Sequence, residues 1–351
     1  MGRRPLTGPF AWHGSEIAAD PRWRYALSAE EIAEIDAALQ AVRNLDWREV
    51  AAEAFPLPRL GARLAAIAEE LEEGCGMARL AGLPVERYAP EDLRRIWFGI
   101  GSHLGRPVFQ NRHGELMREI RDEGPGTGER YGQVAAGGGA FLSSYARTLT
   151  SGPLRFHTDR TDVVGLLCVH QARSGGLSRL SSSVAIHNEM LRRRPDLLDV
   201  LFQDYPRSRF GEEAATPDVV YALPVFGLRG GKLTSHFSLT YIEAAEMSGR
   251  VPPLTAAQRE ALEMLLALAD ELAFDMTLAP GDMQFLNNHV IYHARTAFTD
   301  GAEERERRLL YRLWLSMPNS RPLPDGHEVL WGATAAGALR GGIGQVEMIQ
   351  D

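Results

Sequence analysis

The sequence predicts one mixed α/β domain, with helices flanking a β-barrel-like core. Three observations lead there. Apolar residues recur at helical spacing through the first hundred residues. After Gly105-Arg106-Pro107, short β-like runs separated by Gly, Pro, Asn and Asp take over. No internal repeat, low-complexity tract or linker divides the chain. On this reading a single domain spans residues 1–351, with a mainly helical N-terminal part over 1–104, the β core with inserted helices over 105–320, and a C-terminal extension over 321–351.

The elements follow in order. Residues 1–27 are turn-rich, with Trp12, Trp23 and Tyr25 as anchors. Ser28-Ala29-Glu30-Glu31 is a capping box, and Ile32, Ile35, Ala38, Leu39 and Val42 continue at helical spacing. A second helix covers Leu60 to Glu73, ending near Gly74. Met77 to Pro84 reads as a short strand and turn, and Pro90-Glu91-Asp92 opens a third helix running to about Leu104. Residues 123–139 are so rich in glycine that they are expected to form a mobile loop. Val163 to Val169 is a buried strand, Val184 to Arg194 a helix, and Pro195-Asp196 the start of another. Val219 to Phe226 and Lys232 to Phe237 are expected to pair as a hairpin around Arg229-Gly230-Gly231. Thr255 caps a long amphipathic helix, with Gln258 at the third position. Strands Met283 to Leu286 and Arg308 to Ser316 follow.

Composition narrows the function. In 351 residues, 44% are hydrophobic and 24% charged, as in an ordinary globule, and the net charge of −8 argues against a nucleic-acid or membrane-surface binder. Cys75 and Cys168 are the only cysteines, so neither a disulfide framework nor a thiolate zinc site is indicated. Pro5 to Ala19 has no continuous apolar core and no run is long enough to span a membrane, so a cytoplasmic location is expected.

The chemistry centres on His157-Thr158-Asp159. Two positions apart on a strand, an imidazole and a carboxylate share a face, and they make two-thirds of the 2-His-1-carboxylate set that holds non-haem Fe(II). A lone His-x-Asp is common by chance, so a third ligand is needed. The segment Asn287 to Phe298 offers His289 and His293. In an extended chain both occupy one face, and spacing does not choose between them. In Arg308-Leu309-Leu310-Tyr311-Arg312, the two arginines share one face. If both faces are packed, they lie inside and require an anion; on an exposed edge they are simply solvated. Gln110, Asn111, Tyr145, Tyr221, Ser235 and His236 lie on segments able to line a mouth, although each is also an ordinary strand or loop residue. Arg295 is positioned to pair with an inner carboxylate or to fix the turn into Phe298.

Taken together, His157-x-Asp159, Gly175-Gly176-Leu177-Ser178, Asn287-Asn288-His289 through His293-Ala-Arg295-Thr-Ala-Phe298, and Arg308-Leu-Leu-Tyr-Arg312 resemble the TauD/TfdA-type Fe(II)/2-oxoglutarate-dependent dioxygenases over about residues 100–320. The resemblance implies a double-stranded β-helix, a cupin-like jelly roll with the active site in its mouth. It implies His157, Asp159 and His293 as iron ligands and Arg308 as the partner of the far carboxylate of 2-oxoglutarate. Ser178 stands where the family often has Thr, and Arg312 is placed near the substrate or the co-substrate carboxylates. The implied reaction oxidises a C–H bond of a small-molecule substrate, most simply by hydroxylation, with Fe(II), 2-oxoglutarate and O2 giving succinate and CO2. Halogenating relatives replace the carboxylate ligand with a small residue, so Asp159 speaks for hydroxylation. The residues that anchor taurine are not recognisable, and no motif specifies a homo-oligomer. Two other readings of the triad are a non-catalytic sensor barrel and a zinc hydrolase.

Overall fold

The computed structural model describes residues 3–111, 113–131, 133–136, 139–209 and 220–344; Gly132, Gly137, Gly138, Val219 and the end of the C-terminal extension lie outside them. Two sheets form the core. The larger is seven-stranded, in the order Arg24–Ala26, Met77–Ala81, Met283–Asn287, Val163–His170, Leu309–Ser316, Arg106–Pro107, with Met117–Ile120 also paired to Leu309–Ser316. The smaller runs Phe274–Met276, Ser178–Ser182, Ile291–Arg295, Leu154–His157. Successive strands cross from one sheet to the other and pair mainly antiparallel, as in a jelly roll.

Helices cover the outer faces because their apolar stripes have nowhere else to go. The Ser28 hydroxyl accepts from the Glu31 N–H and the Glu31 carboxylate from the Ser28 N–H, which starts Ala29–Val42 as expected. That helix, Leu60–Glu73 and Pro90–Leu104 place Ile35, Leu64, Ile67 and Trp97 against Leu167, Phe285, Tyr311, Leu313 and Leu315 of the larger sheet. Full burial of each such side chain contributes about 1.5–3 kcal/mol. Ser183–Arg193 and Ala256–Glu271, the latter with the Thr255–Gln258 capping box, cover the smaller sheet through Ile186, Met190, Leu265 and Leu268. The long strand Leu309–Ser316 is central, not an edge. Leu309, Tyr311, Leu313 and Leu315 face the helices, so Leu310, Arg312 and Trp314 face the interior. The solvated alternative for its arginines is removed.

Two local expectations are corrected. Residues 123–139 are not simply a loop: Thr127–Tyr131 is a short helix, and Gln133–Ala136 pairs with Gly139–Leu142. Glycine content marks permissive backbone, but it does not forbid a hairpin. The run ending at Phe226 also divides. Val220–Pro224 pairs with Asp204–Ser208, and only Phe226–Arg229 pairs with Lys232–Ser235, because the Val225 N–H is taken by the Leu201 carbonyl.

The turn before Met283–Asn287 depends on Gly281. Its φ is +86°, and a Cβ there would stand 2.0 Å from the Leu83 carbonyl oxygen. Gly281→Ala is expected to lower stability by about 3 kcal/mol, from left-handed backbone strain plus the clash, as read by urea unfolding.

Candidate active site

Leu154–His157 ends at His157, and the chain turns through Thr158 to Asp162 before Val163–His170 begins. Asp159 was expected beside His157 on one strand, but it stands in this turn. The Thr158 N–H donates to the Phe237 carbonyl and the Asp159 N–H to Asn288 Oδ1, 2.8 and 2.9 Å away, so neither remains for the sheet ladder. The side chains meet nonetheless. His157 Nε2 is 3.8 Å from Asp159 Oδ1, and His293 Nε2 is 3.9 Å from Asp159 Oδ2. His157 and His293 are directly opposite in the antiparallel ladder, with ring centroids 4.3 Å apart. One donor atom from each of the three residues lies within 4.8 Å of the others.

His289 is not among them. It sits in the turn before Ile291–Arg295, off the strand, so it does not share the face of His293. Its Nε2 meets Asp162 Oδ1 at 2.8 Å and its Nδ1 meets the Thr234 hydroxyl at 2.7 Å.

The electrostatics suit a metal. His157 Nδ1 bonds the Arg155 carbonyl at 2.8 Å, which assigns the proton to Nδ1 and leaves the Nε2 lone pair facing Asp159. Burial, followed by the neighbouring His157, lowers the pKa of His293 to about 3, so that ring is neutral. Burial alone would raise the pKa of Asp159. The Arg312 charge, the nearby imidazoles and the Trp314 hydrogen bond outweigh it and hold the carboxylate below its ordinary range. Trp314 Nε1 donates to Asp159 Oδ2 at 2.9 Å, and Arg312 Nη1 lies 3.5 Å from the same oxygen. Arg312 Nε is held by Gln110 Oε1 at 2.7 Å. Two imidazoles and one carboxylate are the donor set of a non-haem Fe(II) site.

Two cavities meet at His157 and Asp159, and the first also reaches His293. The first lies between the sheets and reaches Ser178, Gln284, Arg308 and Arg312 through walls of Ile120, Val164, Leu166, Leu278 and Leu310. At its end the Arg308 guanidinium is buried, and its Nη1 has no partner among the described residues. Burial lowers its pKa to about 10, still well above neutrality. A charge so placed calls for an anion. Gly176 makes room for it, since a Cβ there would be 3.2 Å from Arg308 Nε. The Ser178 hydroxyl donates to Gln284 Oε1 at 3.2 Å. The second cavity opens on another side of the triad, lined by Gln110, Asn111, Ser144, Tyr145, Thr148, Thr158, Ser238, Tyr241, Trp314 and Ile343. His157, Asp159, Thr148 and Arg312 border both.

Of the six mouth candidates, Gln110, Asn111 and Tyr145 line this second cavity. Tyr221, Ser235 and His236 do not. Ser235 bonds Tyr292 and the Val225 carbonyl, and His236 meets the Thr158 hydroxyl from behind. Arg295 fixes the chain rather than an acid, donating to the carbonyls of Thr148, Thr150 and Gly152. Trp314 and Gln284 were missed. Counting the Arg308–Arg312 alternation two residues further would have found Trp314; nothing local marks Gln284.

Residues 36–314 match the model of the family described as taurine catabolism dioxygenase TauD, TfdA family. The chain belongs to this family. It is 30% identical to FR-33289 synthase of Streptomyces rubellomurinus (strain ATCC 31215) over 343 residues, covering 95% of this chain and 97% of that protein. It is also 30% identical to the taurine hydroxylase-like protein SAT17 of Stachybotrys chartarum (strain CBS 109288 / IBT 7711), covering 88% and 79%. The fold is shared with asparagine oxygenase in complex with Fe(II), 2S,3S-3-hydroxyasparagine and succinate, at a TM-score of 0.63 and 18% identity over 84% of this chain and 94% of that one. It is shared too with the non-haem iron oxygenase OrfP in complex with Fe and alpha-ketoglutaric acid, at a TM-score of 0.61 and 14% identity over 90% and 99%. This TauD-family chain is an Fe(II)- and 2-oxoglutarate-dependent oxygenase that uses O2. The sensor and hydrolase readings give way to it. Among the described residues, no carboxylate or histidine outside the triad lines either cavity to serve as a hydrolytic base.

Trp314→Phe keeps an aromatic ring in place and removes one donor from the buried Asp159 oxygen. Fe(II) affinity is expected to weaken about tenfold, measured by anaerobic metal titration, with little change in thermal midpoint.

Proposed function

We propose that the enzyme hydroxylates an unactivated C–H bond of a small molecule held in the cavity of Asn111, Tyr145 and Tyr241, with His157, Asp159 and His293 as the ligands of Fe(II). The single observation that carries this reading is the meeting of two cavities at His157 and Asp159 of one His/Asp/His cluster, one ending on a buried guanidinium whose Nη1 has no partner among the described residues, the other lined mainly by uncharged polar groups beside Arg312. Bound Fe(II) supplies the activation of O2, coupled to oxidative loss of CO2 from 2-oxoglutarate, so that one oxygen atom enters succinate and the other the C–H bond.

The chain's own residues set the geometry. Arg308 takes the far carboxylate of 2-oxoglutarate in a two-donor pair, and the Ser178 hydroxyl turns from Gln284 to the same group. Leu166, Leu278 and Leu310 keep water from the chelated end. Arg312, held by Gln110, and Trp314 keep the Asp159 oxygens aimed at the imidazole nitrogens. Arg312 also borders the second cavity, where it faces the primary substrate. The remaining walls on that side, mainly uncharged polar groups such as Asn111, Ser144, Tyr145, Ser238 and Tyr241, favour a polar small molecule. The hydroxyasparagine bound in the asparagine oxygenase structure is not assigned to this chain.

The fold is read as a single domain spanning 1–351, in which the 1–104 helical part, the 105–320 core and the 321–351 extension are regions rather than separate units. A cytoplasmic location fits two free, buried cysteines, and among the described residues no helix is long and apolar enough to cross a membrane.

The test is an anaerobic titration with Fe(II) and 2-oxoglutarate, followed by an oxygen pulse. A weak visible charge-transfer band and succinate formation are expected. A folded, iron-loaded protein with neither band nor succinate would sink the proposal.

A further inference from the structure

The turn that carries Asp159 is gripped from three directions. From the 287–290 turn, Asn288 Oδ1 accepts the Asp159 N–H and the Asn288 N–H donates to the Asp162 carbonyl, each at 2.9 Å. From the last strand, the Leu315 carbonyl accepts the Thr161 hydroxyl and the Met317 N–H donates to Asp162 Oδ2, again at 2.9 Å. The third grip comes from the C-terminal segment. The Gly342 N–H donates to the Arg160 carbonyl and Arg160 Nε to the Leu330 carbonyl, both at 2.8 Å, and Arg340 Nε donates to Asp162 Oδ1 at 2.7 Å. His289 Nε2 shares that oxygen at 2.8 Å. Asp162, His289 and Arg340 are all buried. The same segment continues to Ile343, whose N–H donates to the Phe109 carbonyl and whose side chain lines the second cavity.

This arrangement does more than join two pieces of chain. Both oxygens of Asp162 are used by donors from three separate elements, so its position is over-determined. Only two residues separate it from Asp159, whose own N–H is fixed by Asn288. Any shift of Asp162 is therefore passed along a short, taut turn to the ligand carboxylate. Metal coordination tolerates displacements of only about 0.2 Å. In a dry site an under-paired Asp162 carboxylate would recruit a proton or a water, and the turn would relax around it.

We infer that the C-terminal segment is part of the catalytic centre, with Arg340 acting through the Asp162–His289 pair as a positioning residue for Asp159, and Ile343 extending the segment into the wall of the substrate-side cavity. The inference rests on reading His157, Asp159 and His293 as the metal ligands.

The experiment is a Co(II) titration of apo-protein, following the ligand-field absorption and its saturation, with thermal midpoints measured in parallel. Arg340→Gln is expected to weaken Co(II) binding about 10- to 100-fold and to shift the bands. Arg340→Lys keeps the charge but loses the planar fork, and should fall between Gln and wild type. Ile35→Ala, in the helical layer away from the site, should lower the midpoint and leave Co(II) affinity and bands unchanged. The role is removed if folded Arg340→Gln titrates like wild type, or if Ile35→Ala weakens Co(II) as much as Arg340→Gln does. Should Arg340→Gln not fold, Arg340→Lys decides: affinity weaker than wild type with shifted bands supports the role, and wild-type behaviour overturns it. His293→Ala separates the two levels of the argument. If it alone abolishes Co(II) binding, the ligand reading stands whatever Arg340 does; if it binds Co(II) like wild type, the ligand reading itself has failed.

Discussion

His293→Ala is expected to abolish the visible charge-transfer band of the Fe(II)–2-oxoglutarate complex and to reduce succinate formation by at least about a thousandfold. A full set of protein ligands supplies roughly 10–16 kcal/mol to a tightly bound metal, so losing one of three donors costs about 4 kcal/mol, or about three orders of magnitude. The fold should tolerate the change. His293 makes no side-chain hydrogen bond to another described residue through Nδ1, and its Nε2 faces Asp159. His289→Ala is the informative contrast. It leaves the three converging donors in place but removes one of the three donors to buried Asp162, along with the partner of the Thr234 hydroxyl. Stability should fall by about 1–3 kcal/mol, and the band should persist at saturating Fe(II) although metal affinity is weakened through Asp162. A His293→Ala protein that keeps the band, or a folded His289→Ala protein that lacks it even at saturating Fe(II), would exchange the roles of the two histidines.

The second large effect is at Arg308. Arg308→Met should leave Fe(II) binding intact and weaken 2-oxoglutarate by about a thousandfold. Two charge-assisted hydrogen bonds, each contributing about 1.5–3 kcal/mol, sum to about 4 kcal/mol or more. The same substitution should make the protein without co-substrate more stable. The buried guanidinium has an Nη1 with no partner among the described residues and lies over the Phe298 ring, among Leu278 and Leu310. Replacing an uncompensated buried charge with an apolar side chain of similar length relieves desolvation. The expected pair of results is thus a raised thermal midpoint without 2-oxoglutarate and no further rise when it is added. Wild type should show the opposite pattern. A lower midpoint in Arg308→Met, with co-substrate binding unchanged, would remove Arg308 from the site.

What could be read without the fold was whatever depends on neighbours in sequence. The Ser28–Glu31 and Thr255–Gln258 caps formed as expected because the donors and acceptors of a capping box lie within one turn of each other. The helical stripes were equally legible. So was the face shared by Arg308 and Arg312, since strand alternation places them together wherever the strand lies. The Gln133–Ala136 and Gly139–Leu142 pairing was hidden, because glycine permits many conformations and specifies none.

The sequence by itself therefore determined the kinds of chemistry available: an imidazole–carboxylate pair, two histidines from which to complete it, and two arginines on one strand face. Tertiary structure alone separated His289 from His293 and grouped only His293 with His157 and Asp159. The 287–290 turn takes His289 off the strand and onto Asp162, while His293 pairs with His157 across the ladder. It also decided that the Arg308 strand is central, which turns a solvated charge into a buried one that needs an anion. Neither outcome is local. Both depend on hydrogen bonds and burial between residues more than a hundred positions apart, and no spacing rule along the chain encodes which of those distant partners will meet.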